Sequence, residues 1–223
     1  MNTLEVTQIQ LQPLHRKLLR RAQAYEVSKR GLDIAVAVVA LTVLAPFLLV
    51  IFTIVRLTSP GKALYWQERV GLNGRIIKFP KIRSMVQDAD HLVDTLKEAN
   101  DHSDSVTFKM KKDPRITPIG RFIRKFSIDE LPQLWLVLTG DLSLVGPRPA
   151  LVREVEQYNY LEKQRLLVKP GLTCIWQVSG RGDIAFKKQV LMDLQYIKDR
   201  SLITDIKLLI LTVPAVFTGR GAY

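Results

Sequence analysis

The hydrophobic pattern divides the chain into three stretches of different character. Residues 1–28 interleave Leu11, Leu14, Leu18 and Leu19 with Arg16, Lys17, Arg20 and Arg21. That spacing suits either a short basic helix on anionic headgroups or a solvated tail. From Ile34 to Val55 there follow 22 residues without a charge. A straight helix of that length extends about 33 Å, enough for a hydrocarbon core of about 30 Å. A helix apolar on all sides is unusual as the core of so small a chain, so the pattern predicts membrane insertion. The stretch starts too late and runs too long for a cleaved signal peptide. Pro46 sits near its middle and removes one helical hydrogen bond. Residues 1–30 carry six Lys/Arg against two Glu, and residues 56–85 carry seven against one, so both flanks look cytoplasmic. A helix that enters, bends at Pro46 and leaves by the same face reconciles these signals. The expectation is a re-entrant membrane helix over residues 29–57, after an N-terminal extension over 1–28 and before a cytoplasmic domain over 58–223.

The third stretch alternates short apolar runs with turn residues. Ser59-Pro60-Gly61 reads as a turn, and Ala63–Arg69 and Arg75–Phe79 flank Asn73-Gly74, a hairpin signal. Helices are predicted over 86–99, from Leu131 to a stop at Gly140, over 150–167 and over 184–199, with a polar loop at Asn100–Ser105. Lys169–Thr173 reads as a type II turn. Leu202–Phe217 is apolar on most sides but interrupted by Asp205, Lys207 and Pro214, which suits a helix resting at an interface or ordinary core packing. The predicted class is α/β, predominantly helical with one small β-hairpin, monotopic in the membrane.

Composition narrows the partners. The 223 residues hold 33 Lys/Arg against 21 Asp/Glu, a net charge of +12, and 47% are apolar, enough for a core. Such a charge calls for nucleic acid, anionic lipid or a phosphorylated substrate. One cysteine, Cys174, and three scattered histidines give neither a disulfide nor a zinc framework.

Candidate chemistry centres on Ser127-Ile128-Asp129-Glu130, which follows a basic run containing Lys109, Lys111, Lys112, Arg115, Arg121, Arg124 and Lys125. One reading is a capping box from Ser127 to Glu130, which Pro132 fits imperfectly. The other places both carboxylates at a helix N-terminus, where positive potential keeps a carboxylate ionised and attracts phosphate. An ionised Asp there can serve as a nucleophile, and an adjacent Glu can hold a divalent cation. In the run Gly146-Pro147-Arg148-Pro149, the two prolines impose extended geometry on Gly146 and Arg148 and present one guanidinium stiffly, in a form suited to phosphate. Ser179-Gly180-Arg181 supplies a further arginine beside a glycine turn.

These motifs occur in one order: KRGLDIAVAVVALTVLAP, the Ser-Pro-Gly turn, Gln67–Gly71, Lys81–Met85, FSIDELPQLWLVLTGDLSLVGPRP, KPGLT and WQVSGR. That order strongly resembles the bacterial sugar transferases, the monotopic polyprenyl-phosphate phosphoglycosyl transferases, from about Lys29 to the C-terminus. The resemblance implies transfer of a sugar-1-phosphate from a UDP-sugar to undecaprenyl phosphate at the bacterial inner membrane, on its cytoplasmic face. It implies Asp129 as covalent nucleophile and Glu130 as its partner, the two holding Mg²⁺. It also implies Arg124, Arg148 and Arg181 around the phosphates, with Lys81 and Arg83 as weaker candidates for nucleotide or lipid-phosphate contacts. The family's membrane-helix break often reads Ser-Pro, whereas this chain has Ala45-Pro46, so re-entrance rests on Pro46 and the charged flanks. Thr218–Tyr223 resembles the endings of hexose-transferring members, which points to UDP-glucose or UDP-galactose. Anionic lipids are the expected surroundings, nucleic acid is not an expected partner, and the oligomeric state, a homodimer included, stays open. The alternative is a non-catalytic membrane scaffold of a polysaccharide assembly complex.

Overall fold

In the computed structural model the backbone is described for residues 3–87, 89, 92, 110, 113–219 and 221, and side chains from residue 22 onward. Most of the helix expected over 86–99, the loop at Asn100–Ser105 and the side chains of Lys109, Lys111 and Lys112 lie outside the described residues. So do the side chains of residues 11–21 and the final Ala222 and Tyr223.

Helix α1 runs from Thr3 to Thr58 without interruption and absorbs the extension and the apolar stretch in one element. Its segment Ala22–Thr58 is long and apolar enough to cross a membrane. The break expected at Pro46 is therefore not an end of the helix. Proline deletes the single bond that residue 46 would donate to the Thr42 carbonyl, and the intact turns on either side carry the helix through. One narrow stripe of α1 faces protein: Lys29, Asp33, Ala37, Leu48, Ile51 and Val55 are all buried, at spacings of three, four and their sums. Val38, Val39, Val43, Leu49, Val50 and Leu57 on the remaining surface are exposed. Burial of each large aliphatic on the stripe contributes about 1.5–3 kcal/mol.

The hairpin forms as expected. Strands β1 (Leu64–Val70) and β2 (Ile76–Ile82) pair antiparallel, Val70 opposite Ile76. Asn73 takes a left-handed conformation (φ 54°) in the short 3₁₀ turn between them. Helix α2 (Pro118–Lys125) is capped by the Thr117 hydroxyl, which accepts from the Gly120 amide at 3.0 Å. A 3₁₀ turn (Ile128–Gln133) then leads into α3 (Leu134–Thr139), which stops at Gly140 with φ 89°.

Strand β3 (Ser143–Val145) pairs in parallel with β5 (Gly171–Thr173), while β4 (Ala150–Leu151) extends the hairpin beside β1. The type II turn expected at Lys169–Thr173 is thus a strand, and Gly171 lacks the positive φ that such a turn needs. The glycine serves close approach instead: a Cβ on Gly171 would meet the Gly146 nitrogen at 2.0 Å. The helix expected over 150–167 resolves into short α4 (Val152–Val155), α5 (Tyr160–Lys163) and a 3₁₀ turn, and α6 (Ile175–Ser179) follows β5. Helices α7 (Phe186–Asp199) and α8 (Leu202–Thr218) close the fold. Ile203, Ile210 and Phe217 of α8 are exposed, so its outer side is apolar like that of α1.

The main core packs α1, α3, β2, β3 and α8 around Val137 and Leu142, both fully buried. A second cluster joins Leu48, Ile51 and Val55 of α1 to Ile82, Ile123 and Ile128, directly beneath the carboxylate pair. A polar clamp fixes the other end of the α1 stripe. Asp205 takes Lys29 Nζ at 2.9 Å and the Tyr25 hydroxyl at 3.0 Å on one oxygen, and lies 2.8 Å from the Tyr196 hydroxyl on the other. Asp33 accepts from the Ser143 hydroxyl and the Leu144 amide, and Arg30 donates to the Val137 and Leu138 carbonyls at the end of α3. Lys29 and Arg30, which the sequence counts in the basic flank of the apolar stretch, are engaged with protein. A polypeptide that ends helices here leaves bare carbonyls and a buried Asp, and these cations satisfy them.

Candidate active site

Each wall of the site comes from a different element. Ser127 adopts a left-handed conformation (φ 53°) and makes no side-chain cap, so the capping box is not formed. The strained residue instead turns the chain from α2 into the 3₁₀ segment, which carries Asp129 and Glu130 side by side. Pro132 sits inside that segment, where the α-helical bond it lacks is not required. The rigid Gly146–Pro149 run is clamped by β5, through the Gly146 amide to the Thr173 carbonyl and the Gly171 amide to the Pro147 carbonyl, both at 3.0 Å. Arg148 is thereby aimed at Glu130: its two terminal nitrogens lie 2.5 and 3.3 Å from the two carboxylate oxygens.

Lys81 on β2 completes the cluster, 3.2 Å from Glu130 Oε1 and 3.8 Å from Asp129 Oδ2. Burial opposes ionisation of Glu130, but Arg148 and Lys81 outweigh it and hold that carboxyl far below the usual range. Asp129 shifts the other way. Burial raises its pKa, Lys81 opposes the rise, and the neighbouring Glu130 charge adds to it. The pair is therefore asymmetric, with Glu130 the firmly held anion. Burial also lowers the pKa of Lys81, against the pull of Glu130 and Asp129.

The cluster lines a cleft of about 710 Å³. Among the described residues ten Lys/Arg side chains line it against four carboxylates, so their field is strongly positive. Arg124 and Arg181 both line this cleft, and both act electrostatically on Asp129. Arg181, at φ 51°, follows the Gly180 turn. Arg83 lines the cleft too, yet its guanidinium donates to the Ser59 carbonyl at 2.7 Å and to the Pro60 carbonyl, closing the turn after α1. Pro46 lies on α1, away from the residues that line the cleft. Among the described residues no group of three or more His, Cys, Asp or Glu is placed to hold a metal. Asp129 and Glu130 are adjacent carboxylates on the cleft wall, and both Glu130 oxygens are already engaged by Arg148.

Two features of the cleft wall escaped sequence reasoning. Arg69 and Gln67 on β1 face the site, although the Gln67–Gly71 motif had no assigned role. Arg165 is bound to Asp193 at 2.6 and 2.8 Å and to the Tyr158 hydroxyl at 2.9 Å, lying over the Tyr158 and Phe186 rings. Burial moves Asp193 up to about 6 despite that arginine. Neither carries a local signal, because each is defined by partners distant in the chain.

Comparison with known proteins gives the family. Residues 24–219 match the family described as bacterial sugar transferase. The galactosyl transferase CpsE of Streptococcus agalactiae is 46% identical over 198 residues, 88% of this chain and 43% of CpsE. The exopolysaccharide production protein ExoY of Rhizobium meliloti is 37% identical over 200 residues, 88% of each protein. The undecaprenyl-phosphate galactose phosphotransferase of Salmonella typhimurium is 38% identical over 222 residues, 97% of this chain and 45% of that protein. The chain thus spans less than half of CpsE and of the Salmonella enzyme, and most of ExoY. It belongs to the bacterial sugar transferase family.

Proposed function

We propose that this protein transfers a hexose-1-phosphate from a UDP-hexose to undecaprenyl phosphate at the cytoplasmic face of a bacterial inner membrane. The observation that carries the reading is the pair of buried Asp129 and partly buried Glu130 set between Lys81 and Arg148 in a cationic cleft. Relatives named for galactose and glucose transfer to undecaprenyl phosphate support the substrate class.

In the first step an Asp129 carboxylate oxygen attacks the sugar-proximal phosphorus. The new O–P bond replaces the bond to the bridging oxygen, and UMP leaves with that oxygen. In the second, an oxygen of undecaprenyl phosphate attacks the same phosphorus, the Asp129–P bond breaks, and undecaprenyl-diphosphate-hexose departs with the carboxylate restored. Arrival of the anionic substrate beside Arg124, Arg148 and Arg181 places fixed positive charge where the transition state accumulates negative charge. Lys81 lies nearest Asp129 and favours its ionised form. Asp129 and Glu130 are the residues that would hold Mg²⁺, which supplies charge neutralisation at the phosphates. Asp129→Asn is expected to abolish UMP release and covalent labelling by a sugar nucleotide radiolabelled in the sugar-proximal phosphate. Retained labelling at that position would overturn the mechanism.

The membrane attachment follows from the same helix. Packing along α1 extends from Lys29 to Val55, a distance of roughly 39 Å, and both ends of this stripe contact one catalytic domain. A spanning helix would hold a cytoplasmic domain at one end only. Monotopic attachment, with both flanks of the apolar segment on the cytoplasmic side, fits this packing. Tags at the N- and C-termini should be protected from reagents added to intact spheroplasts, and labelling of the N-terminal tag from outside would establish a spanning helix.

A further inference from the structure

Strand β1 contributes Arg69 to the cleft, and its setting differs from that of Arg148. The register places Tyr65 opposite Lys81, Gln67 opposite Phe79 and Arg69 opposite Ile77. Alternation therefore puts Tyr65, Gln67 and Arg69 on the face of the hairpin that carries Lys81, and Glu68 on the other face. Arg69 Nε and Nη2 both donate to Gln67 Oε1, at 3.0 and 2.7 Å, and Nη1 donates to the Pro149 carbonyl at 3.0 Å. The guanidinium carbon stands 5.6 Å from the Phe79 ring centroid.

All these acceptors are neutral. Among the described residues no carboxylate lies within ion-pair distance of Arg69, whereas Arg148 has Glu130 and Arg165 has Asp193. Burial and the neighbouring Arg148 charge lower the Arg69 pKa to about 10, with Glu154 and Glu130 acting against them. A guanidinium at that value is still charged at neutral pH. A partly buried cation without a counter-ion is unfavourable until an anion reaches it. Three of its N–H groups are used in the bonds above, leaving donors for a ligand. The chain places a glutamine where a glutamate would make a closed ion pair, and directs the adjacent Glu68 away.

We propose that Arg69 binds the diphosphate of the sugar nucleotide and that Gln67 is its positioning residue, holding the guanidinium in place without neutralising it. This inference rests on the functional reading above for the identity of the anion. It is an assignment to β1, separate from the arginines of the Arg124, Arg148 and Arg181 set.

The decisive variant is Gln67→Glu, which keeps the shape and the acceptor but adds the missing counter-ion. With the full chain in nanodiscs, UDP titrated by calorimetry should bind about tenfold more weakly to Gln67→Glu than to wild type. Its affinity should also depend less steeply on salt, and its thermal unfolding temperature should be unchanged or raised. Arg69→Met should lose UDP affinity to a similar extent, and Arg69→Lys, which keeps the charge but not the fork, should bind UDP more tightly than Arg69→Met. If Gln67→Glu binds UDP as tightly as wild type, Arg69 is a strut for the Pro149 loop and the proposal is overturned. Equal UDP affinity in Arg69→Lys and Arg69→Met would overturn it too. Wild-type protein that binds no UDP would have the same consequence. Wild-type protein that binds UDP but releases no UMP from any UDP-hexose, with Mg²⁺ and undecaprenyl phosphate supplied, would instead defeat the functional reading and leave the anion-binding element standing.

Discussion

Two carboxylates in this protein are each gripped by a lysine and further donors, and they serve opposite ends. Asp205 is fully buried and meets one cation, Lys29, with Tyr25 and Tyr196 satisfying its remaining lone pairs. Glu130 meets Lys81 and a two-pronged Arg148, with Arg69, Arg124 and Arg181 in the surrounding cleft. The first cluster balances its charges and joins α1 and α8, with Tyr196 also 3.1 Å from the Val145 carbonyl at the end of β3. The second keeps a surplus of positive charge facing open volume. A balanced, dry ion pair belongs to the fold, whereas a surplus held by backbone and neutral acceptors waits for a ligand.

The contrast has measurable consequences. Asp205→Ala should give the largest effect, a loss of about 3–5 kcal/mol of stability, because it leaves the Lys29 ammonium buried without its partner. Chemical denaturation in detergent micelles would read it, and an unchanged midpoint would mean the clamp does not anchor α1. Lys81→Met should do the reverse. Its turnover is expected to fall by about 10²–10³, the order seen when one electrostatic contact to a transition state is removed. Its stability should stay within about 1 kcal/mol of wild type, since Arg148 still holds Glu130 and one unfavourably buried charge is gone. Unfolding as destructive as that of Asp205→Ala would erase the distinction between the clusters.

Glu130→Gln tests the same balance through pH, with the smallest effect. The folded-state pKa of Glu130 is depressed, so its ionised form contributes stability above the unfolded value near 4.3, and that contribution is lost as the pH falls toward the folded value. The stability gap between wild type and Glu130→Gln should be about 1–3 kcal/mol and level above pH 5 or so, and should shrink below about pH 4. A gap that widens on acidification would show that Arg148 and Lys81 do not stabilise the carboxylate.

Much of the site was legible along the chain because its signals are local. Asp129 and Glu130 are neighbours, the prolines around Arg148 act on adjacent residues, and Asn73-Gly74 sits in its own turn. Arg69 and Gln67 were not legible, since a strand's two faces are told apart only by what each meets across the sheet. The apolar run from Ile34 to Val55 is equally plain, but the stripe that makes one side of it protein-facing depends on Ile82, Ile123 and Ile128, far along the chain. Lys29 and Arg30 count as a basic flank along the chain, and only the fold shows that one meets a buried carboxylate and the other two backbone carbonyls.

From the sequence by itself came the long apolar helix, the excess of positive charge and the Asp129-Glu130 and Arg148 motifs that the candidate site takes up. Those follow from composition, spacing and short-range steric rules. Tertiary structure alone decided how the charges are divided. It gives Asp205 a single lysine and Glu130 a lysine and an arginine, shifts Asp129 and Glu130 in opposite directions, and leaves Arg69 with neutral acceptors. The reason is physical: the energy of a charge depends on its burial and on partners a few ångströms away, and folding draws those partners from every part of the chain.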